Sequence, residues 1–60
     1  MRYYVHYQEP EYGSMEVLNS TGYSNYKEAE NAAKIIKEKY NYVRIVMSLI
    51  EILKEYGEQK

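Results

Sequence analysis

Hydrophobic and polar positions in this chain alternate first with a period of two, then with a helical period, then with two again. Arg2 to Gln8 (RYYVHYQ) is rich in β-formers and free of breakers, which predicts a strand. Its alternation sets Tyr3, Val5 and Tyr7 on one face and Tyr4 and His6 on the other. Within Glu9 to Gly13, Pro10 fixes φ and Gly13 frees it, which predicts a turn. Ser14 to Asn19 (SMEVLN) is the second arm of a hairpin, with Met15 and Val17 inward and Leu18 outward. Ser20-Thr21-Gly22 breaks it.

The period then changes. Asn25 stands three residues before Glu28, the spacing at which a cap side chain and a carboxylate satisfy each other's unpaired amides. From Tyr26 to Tyr40 there is no Gly or Pro, and Ala29, Ala32, Ala33, Ile36 and Tyr40 recur at helical spacing. Glu30 and Lys34 form an i,i+4 pair, and Lys37 and Lys39 suit the negative end of the helix dipole. A stripe made mostly of alanine lets this helix lie close on the hairpin.

Tyr42 to Met47 (YVRIVM) is the third strand, with Val43, Ile45 and Met47 alternating against Arg44 and Val46. Two readings compete for the segment from Ser48 to Gly57. Ser48-Leu49-Ile50-Glu51 has capping-box spacing, Leu49, Ile50, Ile52, Leu53 and Tyr56 form a stripe, and Gly57 sits where a helix stop would. These predict a short C-terminal helix, which is the reading preferred because cap, stripe and stop agree. Alternatively the β-branched Ile50 and Ile52 extend the third strand to about residue 53. The expected fold is therefore a single α+β domain, a two-layer ββαβ with a three-stranded antiparallel sheet in order 2-1-3, one main helix and a short C-terminal helix.

Composition changes the picture in one respect. Sixty residues lie near the lower limit for independent folding, and nine of the hydrophobic ones are tyrosine and three alanine. With no cysteine there is neither a disulfide nor a thiolate metal site to staple the chain. Self-association or docking on a partner is the simplest source of further burial. The rings of Tyr3, Tyr7, Tyr26 and Tyr40 are expected to build a thin core. Tyr4, Tyr12, Tyr23, Tyr42 and Tyr56 fall on turns, element ends or the outer sheet face, where tyrosine serves interfaces well.

Candidate chemistry is sparse. His6 is the only histidine, and strand alternation puts only Tyr4 and Gln8 near it, which make no triad. His6, Glu9 and Glu11 are too few and too loosely spaced for zinc or calcium, and aspartate is absent. Gly13, Gly22 and Gly57 match no phosphate-loop spacing. The reading is of a protein that is not an enzyme and has no cofactor or catalytic residue.

What remains is a surface. Tyr4, His6, Leu18, Arg44 and Val46 are expected to point away from the main helix, and either Ile50, Leu53 and Tyr56 of the C-terminal segment or a second copy is expected to cover them. The function expected is a homodimeric protein-binding module, an inhibitor or modulator of a larger host or defence protein. The bias toward Tyr, Lys, Asn, Ile and Glu suits an AT-rich genome, hence a phage or mobile element. No apolar run is long enough to span a membrane, no signal-peptide layout opens the chain, and a cytoplasmic setting is expected. The alternative is a nucleic-acid-binding accessory protein stacking bases on a Tyr-bearing sheet face. A net charge of −1 argues against it.

Overall fold

The computed structural model describes residues 2–47 and 51–59. Strand β1 (Tyr3–Gln8) and strand β2 (Met15–Val17) form the expected hairpin, and helix α1 (Tyr26–Ile36) comes next. Strand β3 (Tyr42–Met47) then pairs antiparallel to β1. The chain ends on a fourth strand, β4 (Glu51–Gly57), so the sheet has order β2-β1-β3-β4. The α+β plan and the 2-1-3 order of the first three strands match the sequence pattern. The three-strand count does not, and the short C-terminal helix is replaced by β4.

Long-range pairing decides the C-terminal segment. Every residue from Glu51 to Gly57 except Leu53 has a partner on β3, from Met47↔Glu51 to Tyr42↔Gly57. A lone amphipathic helix of two turns has no such ladder and is marginal by itself. Gly57, expected as a helix stop, does have the positive φ of such a residue, +79°. Its need for glycine comes from the sheet: a Cβ there would lie 1.9 Å from the Asn41 carbonyl oxygen. Ser48, Leu49 and Ile50, which complete the capping-box pattern, lie outside the described residues.

A bulge resets β4. Ile45 pairs with Lys54 but Val46 pairs with Ile52, leaving Leu53 as the extra residue. Residues directly opposite in an antiparallel pair share a face. Lys54 and Tyr56 therefore join Ile45 and Val43 on the helix side, while Ile52 and Glu55 join Val46 and Arg44 on the other.

The hairpin register overturns another expectation. Val17 is opposite His6 and Met15 opposite Gln8, so both lie on the His6 face and not inward. Leu18 donates its amide to the Val5 carbonyl, which places it on the Val5 side at the edge of the sheet. The turn causes this: Gly13 N–H donates to Glu9 O, Glu9 N–H to Ser14 O, and the Gln8 side chain to Gly13 O. Alternation inside three residues carries no sense of in or out. The turn length supplies it.

Beneath α1, Val5, Val43 and Ile45 are fully buried against Ala29 and Ala33, so the alanine stripe brings the helix close as expected. Asn25 caps the helix by accepting from Glu28 N–H at 2.9 Å. The Glu28 carboxylate accepts from the Ser24 hydroxyl, so the reciprocal half of the capping box is replaced. Tyr3 meets Tyr26 edge-on and Tyr7 stacks tilted on Tyr40, and all four rings pack on the core. Tyr23 and Tyr56, expected outside, pack there too.

Candidate binding surface on the open face of the sheet

Because α1 lies over one side of the sheet, the other carries no second layer from the described residues. β1 brings Tyr4 and His6 to this open face, β2 brings Val17, β3 brings Tyr42, Arg44 and Val46, and β4 brings Ile52 and Glu55. Of the residues the sequence assigned to a partner or dimer interface, the structure unites Tyr4, His6, Arg44 and Val46. Leu18 and Tyr56 belong to the helix side. Leu53 stands exposed at the bulge, and Ile50 lies outside the described residues. Tyr42, one of the tyrosines expected on the outer surface, joins them, whereas Val17, Ile52 and Glu55 were missed; the strand alternative for the C-terminal segment would have pointed to Ile52.

The polar groups are held in place. The Arg44 Nε donates to His6 Nδ1 at 3.4 Å, which makes Nδ1 an acceptor and leaves the ring proton on Nε2. Burial, then the neighbouring Arg44 charge, hold the His6 pKa below the usual imidazole value. Tyr42 is only 2% exposed, and its hydroxyl donates to Glu55 Oε1 at 2.8 Å. Burial first, and then the Glu55 carboxylate, push the Tyr42 pKa up. The Tyr4 ring rests on Gly22, where a Cβ would sit 2.7 Å from a ring carbon. Arg2 fastens that loop by donating to the Thr21 and Gly22 carbonyls.

Apolar area lies between these anchors. Val46 is buried between its neighbours, and Ile52 (44% exposed) and Val17 (41%) flank the centre. The face is thus a mixture of aromatic and aliphatic surface in which Arg44 and Glu55 supply opposite charges side by side. Such a surface offers contact: area to bury and opposite charges to align. The edges are less inviting. β2 is three residues long, and β4 carries a bulge and a central lysine, two devices that discourage strand addition.

Among the described residues no three His, Cys, Asp or Glu side chains gather as a metal site requires. No described helix is long and apolar enough to cross a membrane. Compared with protein-family models, curated proteins and solved structures, the chain finds no match.

Proposed function

We propose that this chain is a non-enzymatic protein-binding module that pairs with a second copy through its open sheet face, and that it inhibits or modulates a larger protein by contact. The observation that supports this is the uncovered face itself, on which Val17 and Ile52 stay exposed beside ordered aromatic and charged groups. A second copy suits it because Arg44 and Glu55 lie directly opposite on adjacent strands. A two-fold rotation sets each against its opposite charge, as a self-complementary interface needs. The blunted edges leave the face as the route to association. A cytoplasmic setting belongs to the same proposal, since a cysteine-free chain suits a reducing compartment. So does a phage or mobile-element origin, which rests on composition.

The face is small. Four strands about 4.8 Å apart and six residues rising about 3.3 Å each span roughly 19 by 20 Å. That is below the ~800 Å² per partner of a standard interface, so pairing is weak and concentration-dependent. Sedimentation equilibrium should show mass rising from 7.2 kDa toward twice that value at high protein concentration. Ile52→Lys should hold the chain monomeric. A wild-type mass of 7.2 kDa at every concentration would remove the reading.

A further inference from the structure

On the helix side of the sheet, α1 lies over β1 and β3, and β4 reaches the core beneath it through Tyr56. An open groove of about 450 Å³ runs there between the C-terminal end of α1 and β4. Its walls include Lys37, Glu38 and Asn41 on one side and Lys54, Tyr56 and Gly57 on the other. The groove is separate from the open face and independent of the function proposed for it.

Two lysines converge in this groove. The Lys37 Nζ lies 5.2 Å and the Lys54 Nζ 5.6 Å from the centroid of the same Tyr56 ring. The two ammoniums are therefore no more than about 11 Å apart, close to one Debye length at ~0.1 M salt. Each gains from the ring, yet a ring carries no net charge to neutralise them. Among the described residues neither has a carboxylate at ion-pair distance, whereas Lys27 and Lys34 share Glu30. The Glu55 carboxylate lies on the opposite, open face of the sheet, where it accepts from Tyr42, and Glu38 stands on the groove's rim.

We infer that this groove binds a phosphate-bearing ligand, with phosphate oxygens bridging Lys37 and Lys54 beside Tyr56. Two cations held a few ångströms from one ring call for a multiply charged anion that can reach both. A diphosphate spans such a gap better than a single carboxylate. The volume falls in the range of small-ligand sites, so the organic part of the ligand has room as well. The negative end of the α1 dipole opposes an anion here, so one lysine alone is not enough.

Titration of the ¹⁵N-labelled protein with sodium diphosphate, at ~20 mM salt to limit screening, tests this. Saturable shifts of the Asn41 and Gly57 amides are expected. Lys37→Gln with Lys54→Gln should weaken binding about tenfold or more, and Glu38→Gln should tighten it. The exposure of these three side chains lets the fold tolerate the changes, which the dispersion of each variant's spectrum verifies. Shifts that never saturate, that persist in the double variant, or that succinate reproduces at equal concentration would overturn the assignment.

Discussion

At the scale of single residues, three glycines with positive φ have different reasons to be there. Gly13 has φ +77° but no clash, a Cβ there meeting only the Gln8 side chain at an ordinary 3.6 Å. Gly57 has both the positive φ and the Asn41 backbone against it. Gly13→Ala should therefore cost about 1 kcal/mol, from backbone strain alone. Gly57→Ala should cost at least ~3 kcal/mol, comparable to the whole stability of so short a chain. Urea denaturation of the two variants checks the order. His6 makes a second prediction. Its folded pKa lies below 6.5, so above that value imidazole is neutral in both states and the stability is fully present. As pH falls below 6.5 the unfolded chain takes up its proton first, and stability declines until the folded pKa is passed. His6→Gln should reduce that slope between pH 7 and 5, as read from melting temperature; an unchanged slope would contradict this role for His6.

At the scale of elements, legibility in the sequence followed locality. Helix α1 was readable because its cap and alanine stripe lie within one short window, though it ends at Ile36, short of Lys39, and strands β1 and β3 because each alternates over six residues. β4 was misread because a strand glycine at positive φ and a helix-stop glycine look alike locally. The deciding term, a ladder to β3, is absent from the local pattern. The same limit explains the site. Tyr4, His6, Arg44 and Val46 come from alternation alone. Val17 and Leu18 exchanged sides because a turn set the register, and Tyr56, expected on a helix across the open face, lies on the helix side because its segment is a strand that sets it opposite Val43. The close approach of α1 gives a test of its own: Ala33 is fully buried, so Ala33→Leu should destabilise the protein by ~1–3 kcal/mol through overpacking. Ala32→Leu, on the partly covered flank, should cost less. Thermal unfolding followed by circular dichroism separates the two.

At the scale of the whole molecule, the described residues make two layers, a helix and a four-stranded sheet, and among them nothing covers the second sheet face. Tyr42 and Val46 are nevertheless nearly inaccessible on that face. What stays accessible is a rim of Val17, Ile52, Tyr4 and Arg44 around that centre. The self-association proposed through this rim would add the burial that a tyrosine- and alanine-weighted core lacks. An isotope-filtered nuclear Overhauser experiment on a mixture of ¹³C-labelled and unlabelled chains at millimolar concentration reads that pairing contact by contact. Pairing through the open face predicts intermolecular contacts from the Val17 and Ile52 methyls to the Tyr4 ring of the other copy. Intermolecular contacts confined to Ile35 on the helix or to the sheet edges, or none at all, would contradict it.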